Sequence, residues 1–152
     1  MPPPDGMAGG EKLQAYLDKI VKRTSASVGE PDVRAGFLEG ATYPDGTSVA
    51  SVAFWNEFGT KRTPPRPFFR SMIREQSPTW GDKLGKILVS AGFDAKLSLT
   101  RMGMLIAGQL RQSVVAMNSP PNAPATIAAK GAAKPLVDTG HMLNSIDYEV
   151  SA

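Results

Sequence analysis

The chain has 152 residues, 41% hydrophobic and 20% charged, with a formal net charge of +3. Those proportions suit one folded domain and exclude wholesale disorder. Cysteine is absent and histidine occurs once, which excludes a disulfide scaffold, a cysteine-held metal cluster, a thiol nucleophile and a multi-histidine site within one chain.

The opening tract, MPPPDGMAGG, cannot nucleate regular structure, so residues 1–10 read as a flexible N-terminal arm. It lacks the basic start and apolar run of a signal peptide, and no stretch approaches the roughly 18 apolar residues of a membrane span. The expectation is synthesis in a cytoplasm and no membrane partner. From Glu11 to Thr24, Leu13, Tyr16, Leu17, Ile20 and Val21 recur at helical spacing and predict an amphipathic helix. Residues 11–152 are expected to form a single α+β domain.

Next, Val33, Ala35 and Phe37 alternate with Arg34, Gly36 and Leu38, the pattern of a short strand. Gly40 and Pro44-Asp45-Gly46 supply turn chemistry after it. The run 48–58 fits either a strand or a helix with Val49, Val52 and Trp55 on one face. Thr47 or Ser48 as N-cap and Gly59 just past the end favour the helix. TKRTPPRP, residues 60–67, carries three prolines in four positions and predicts an extended connection, with Pro67 as first residue of another helix. That helix shows Phe68, Phe69, Met72 and Ile73 on an apolar side and is expected to stop at Pro78, with a further helical stretch at 79–91.

Residues 93–117 form the longest periodic segment, with Leu99, Met102, Ile106, Leu110 and Met117 on one stripe and Leu105 and Val114 beside it. Gly103 and Gly108 each weaken a helix by about 1 kcal/mol relative to alanine, which suggests close packing there. A long loop is expected at 118–137, too poor in large apolar groups to fold alone. Asp138 and Thr139 are placed to cap a short turn, and Ile146, Tyr148 and Val150 predict a closing strand paired with 33–38. The fold class is therefore α+β: a small antiparallel sheet packed with several helices, one of them long.

Nothing here spells catalysis. His141 has no nucleophile or oxyanion site associated with it, the carboxylates form no ligand loop, and no phosphate or dinucleotide fingerprint occurs. The expectation is a protein that is not an enzyme and has no cofactor and no metal. The basic segment is more informative: Lys61, Arg62, Arg66, Arg70 and Arg74 occur with no acidic residue among them. Arg66, Arg70 and Arg74, spaced by four, would line one side of a helix and could track phosphates. Contact with a neighbouring subunit or with water is the favoured reading, and a nucleic-acid-binding module is the alternative. Trp55, Phe58, Phe68 and Phe69 flank this segment. Most of the four are expected in the core, although aromatic residues and arginines together also build interface hot spots.

Two segments resemble a known family. VAFWNEFGT from Val52 to Thr60, followed by PPRPFFR from Pro64 to Arg70, is similar to a signature of tailed-phage neck and tail-completion proteins, the minor tail protein Z-like tail-component group. PLVDTGHMLNSI from Pro135 to Ile146 is similar to that family's closing segment, which leads into a final strand. The matches cover about a fifth of the chain, in the expected order. The resemblance implies a structural virion protein of the head–tail junction or upper tail, made in the host cytoplasm. Such proteins form a ring that lets the tail join a DNA-filled head, and its partners would be other neck and tail proteins. Six subunits are favoured. On this reading Trp55, Asn56, Glu57, Phe58, Arg62, Arg66, Phe68, Phe69 and Arg70 are the candidate inter-subunit contacts. Lys61, Arg74, Lys130 and Lys134 are candidates for the DNA channel or its rim.

Overall fold

The computed structural model describes residues 15, 17–19, 31–117 and 140–151. Along the chain these form strand β1 (Asp32–Phe37), helices α1 (Val49–Phe58), α2 (Phe68–Ser90), α3 (Ala95–Ala116) and α4 (His141–Asn144), and strand β2 (Ile146–Ser151). β1 and β2 pair as a two-stranded antiparallel sheet packed against α2 and α3, the α+β arrangement expected from the alternating runs. Residues 15 and 17–19 are helical, within the predicted first helix. Leu17, assigned to its apolar stripe, is nevertheless exposed. The arm at 1–10, the loop at 118–137 and the capping pair Asp138-Thr139 lie outside the described residues.

Two compact units are present. The first takes described residues 15, 17–19, 31–34, 79–103 and 149–151. Here Gly92 and Phe93, both at positive φ (63° and 64°), make the turn between helical residues. The Phe93 N–H donates to the Leu88 carbonyl at 2.8 Å, and its ring is buried, which holds a bulky residue in a conformation it otherwise avoids. Asp94 then caps α3: its carboxylate accepts the Leu97 N–H at 2.7 Å.

The second unit takes described residues 35–78, 104–117 and 140–148. Its core is Val49, Ala53, Phe68, Met72, Ala107, Leu110, Val114, Met142 and Ile146. Phe37 meets Phe68 edge-on, with ring centroids 6.1 Å apart. Ser113 Oγ donates to the Phe68 carbonyl at 2.7 Å, and the Arg111 guanidinium donates to the Ile146 carbonyl. Together these contacts bind strand residues and α3 to the start of α2. The 40–48 turn is held by hydrogen bonds from Tyr43 N–H to the Thr47 carbonyl and from Gly46 N–H to the Tyr43 carbonyl. Asp45 accepts the Thr47 N–H at 2.9 Å, which holds its carboxyl below the ordinary aspartate range. His141 Nε2 lies 2.7 Å from the Thr42 carbonyl, so that nitrogen carries a proton, and the imidazole stacks on Tyr43.

Several expectations need correction. α2 does not stop at Pro78 but continues to Ser90. Pro78 is exposed, so its missing N–H and its ring fall on the solvent side, where the freed Arg74 carbonyl can bond water. Pro67 is not the first helical residue: its carbonyl accepts the Ser71 N–H, which makes it the N-cap and Phe68 the first residue of the helix. Ile73 is exposed while Phe68 and Met72, one i, i+4 line of the helix, are core. On α3 the buried line runs through Ser98, Met102, Ala107, Leu110 and Val114. Leu99, Leu105 and Ile106 are only half-buried beside it. α4 is preceded by Gly140 at φ 73° with no side-chain cap.

Close packing does not explain Gly108, since a Cβ there would meet nothing within 4 Å. Gly108→Ala should therefore stabilise the protein by about 1 kcal/mol, raising the melting temperature by roughly 2–4 °C. Calorimetry on the variant checks this, and a lowered melting temperature would contradict it.

Candidate functional site

The NEFG and PPRPFFR motifs converge on one junction, the entry into α2. A helix start leaves backbone N–H groups without intrahelical partners, and an N-cap side chain normally accepts one of them. Pro67 has no side chain able to do so. Glu57, on the last turn of α1, supplies the acceptors instead. Its Oε2 accepts the Phe69 N–H at 2.9 Å, and its Oε1 accepts the Arg70 N–H at 3.2 Å. The Phe68 N–H donates to the Arg66 carbonyl at 2.8 Å, so all three first-turn N–H groups are satisfied. Glu57 is 4% exposed, and its negative charge sits at the positive end of the α2 dipole.

Arg70 neutralises that carboxylate. Its Nε donates to Glu57 Oε1 at 2.7 Å, and its Nη2 donates to the Glu57 backbone carbonyl at 3.2 Å. The guanidinium lies over the Phe58 ring, 4.7 Å from the centroid. The connection between the helices is equally fixed. Asn56 accepts the Arg66 N–H at 2.7 Å through its backbone carbonyl, while its side-chain amide donates to the Val52 carbonyl. Arg66 is buried, and burial holds its pKa below the ordinary arginine value. Thr60 Oγ1 accepts the Thr63 N–H.

Gly59 ends α1 as its sequence position predicts, with φ 77° and ψ 173° and its N–H on the Trp55 carbonyl. A Cβ at Gly59 would sit 2.8 Å from Pro65 N and 2.9 Å from the Thr63 carbonyl, so the proline run folds back directly over the glycine. Ser48 caps the other end of α1, accepting the Ser51 N–H.

This anchoring turns α1 over relative to the expected face. Val49, Ala53 and Glu57 are the buried line, with Val52 and Asn56 half-buried. Small Ala53 lets the helix approach closely, and Glu57 must face inward to reach α2. The aromatic side therefore points outward: Phe54 is 60% exposed, Trp55 48% and Phe58 51%. The expectation that most of the four flanking aromatics are core holds for Phe68, which is buried, and only in part for Phe69, which is half-buried against Gly36. It fails for Trp55 and Phe58. Phe54 was not singled out by sequence. Its signal was its place with Phe58 at i and i+4, opposite Val49, Ala53 and Glu57.

The candidate contact residues thus separate. Trp55, Phe58, Arg62 and part of Arg70 reach the surface. Glu57, Arg66 and Phe68 are buried inside the protein, and Asn56 and Phe69 are half-buried. The proposed row Arg66–Arg70–Arg74 is broken, because Arg66 precedes the helix and is buried while Arg70 is paired with Glu57. Lys61, Arg62 and Arg74 are exposed and make no ion pair among the described residues. Lys130 and Lys134 lie outside the described residues. Among the described residues, no three His, Asp or Glu side chains are grouped to hold a metal ion, and no helix is long and apolar enough to cross a membrane.

No protein-family model, curated protein or solved structure matches this chain.

Two substitutions test the junction. Glu57→Gln keeps the shape but loses the charge and one acceptor, and should cost about 1–3 kcal/mol of stability, read by chemical denaturation. Gly59→Ala places a side chain in a backbone region open almost only to glycine and against two backbone atoms. It should cost at least about 2 kcal/mol, and an unchanged melting temperature would refute that geometry.

Proposed function

We propose that the protein is a structural virion component of the head–tail junction of a tailed phage. It assembles as a ring, with six subunits favoured, that lets the tail join the DNA-filled head, and its further partners are other neck and tail proteins. It works in the virion and is made in the host cytoplasm, without enzymatic activity. The observation that carries this reading is the outward aromatic face of α1, Phe54, Trp55 and Phe58, on the motif that resembles the tail-completion family.

Large exposed aromatic side chains clustered on one helix face mark an interaction surface, and a rigid mounting lowers the entropy lost on association. Here the mounting is the Glu57 junction, with α1 held at both ends. The motif residues divide the work: Asn56, Glu57, Gly59, Pro65, Arg66 and Arg70 build the mount, while Trp55 and Phe58 face the partner. The nucleic-acid alternative has less to draw on, since Arg66 is buried and Arg70 is ion-paired.

Arg66 and Arg70 are unsuitable probes of an interface, because Arg66 is buried and Arg70 pairs with Glu57, so reversing either charge damages the fold. Surface variants are the proper test. Trp55→Ser and Phe58→Ser should leave the melting temperature within roughly 3 °C of the parent while abolishing ring formation, measured by sedimentation. Particles made with either variant should accumulate as filled heads and separate tails. Normal joining by both variants would overturn the proposal.

A further inference from the structure

The second unit carries an open groove of about 490 Å³ between α2 and α3, lined by Met72, Glu75, Gln76, Gln109, Gln112 and Met117 among others. Gln109 Nε2 donates to Gln76 Oε1 at 2.9 Å, which ties the two helices across its floor. Among the described residues, Glu75 is the one charged residue in the lining, and it is exposed without an ion-pair partner.

The groove and the aromatic face stand on opposite sides of α2. At about 100° per residue, positions 71, 72, 75 and 76 centre about 170° round the helix from Arg70. Arg70 is the residue whose guanidinium covers Phe58. One copy therefore cannot fold its own aromatic face into its own groove, and a contact between the two surfaces is head-to-tail.

Their chemistry is complementary. The face offers Phe54, Trp55 and Phe58 edged by the unpaired cations Lys61 and Arg62. The Trp55 indole N–H has no acceptor among the described residues. The groove offers the half-buried Met117, which adapts to aromatic rings, the exposed Gln112 amide and Glu75 carboxylate as acceptors for an indole N–H, and the anionic Glu75 for a cation.

We infer that the α2–α3 groove of one copy receives the Trp55–Phe58 face of a second copy, with Glu75 opposite Lys61 or Arg62. This rests on the proposed ring reading and names its second surface. Charge-swapped full-length chains test it by sedimentation. Glu75→Lys alone, and Lys61→Glu with Arg62→Glu, should each weaken self-association at least tenfold. Mixing the two proteins should restore hetero-association to within about threefold of the parent. Because the chain has no cysteine, a mixture of Lys61→Cys and Gln112→Cys proteins should also cross-link between copies under oxidation.

If the parent forms rings that need Trp55 but Glu75→Lys assembles normally and the cysteine pair does not cross-link, the groove assignment is overturned and the ring reading stands. A parent monomeric at every concentration would overturn both. Rescue by the mixed charge swap, together with cross-linking, supports the groove.

Discussion

The buried carboxylate of Glu57 is the contact on which the second unit depends. A proline at the N-cap of α2 leaves the first-turn N–H groups without a local acceptor, and a carboxylate twelve and thirteen residues upstream accepts two of them. A charge buried this deeply is tolerable only when it is paired and hydrogen-bonded. Arg70, the helix dipole and two backbone donors meet that condition together. In satisfying the helix, Glu57 also fixes which side of α1 faces inward, and so which side leaves its aromatic residues exposed.

The surrounding sequence supports the same contact. Gly59 gives the chain a conformation that lets the proline run fold back over the end of α1, and Asn56 uses its backbone carbonyl to hold Arg66. The stiff segment at 60–67 keeps the two helix ends in register without a regular hydrogen-bond ladder. A motif that reads as an interaction signature is thus mostly a piece of internal carpentry. Of its large apolar side chains, Phe54, Trp55 and Phe58 stay exposed, with Lys61 and Arg62 beside them.

Much of this was legible beforehand where local chemistry decides. Ser48 and Gly59 marked the ends of α1, alternation marked both strands, and periodicity marked α3. What escaped was set by contacts distant in sequence. Helical periodicity cannot tell that Ala53 and Glu57, rather than Val52 and Trp55, face inward, because the deciding partner is the start of α2. The one available signal was a helix entry whose N-cap proline offers no acceptor, next to a glutamate flanked by aromatic residues. Pro78 misled for the converse reason: a proline need not end a helix where its ring and the freed carbonyl lie on the solvent side, and this one is exposed. The stripe on α3 shifted because Ser98 and Ala107 are small enough to be buried where larger neighbours are not.

The central claim is that a permanently closed Glu57 junction mounts an aromatic face that becomes covered only on assembly. Amide hydrogen exchange across a concentration series reads both parts at once. The account predicts strong protection at Phe69 and Arg70 at every concentration, and slowed exchange over residues 54–62 that appears only as the protein assembles. Fast exchange at Phe69 and Arg70 in the folded protein, or no change over 54–62 on assembly, would contradict it.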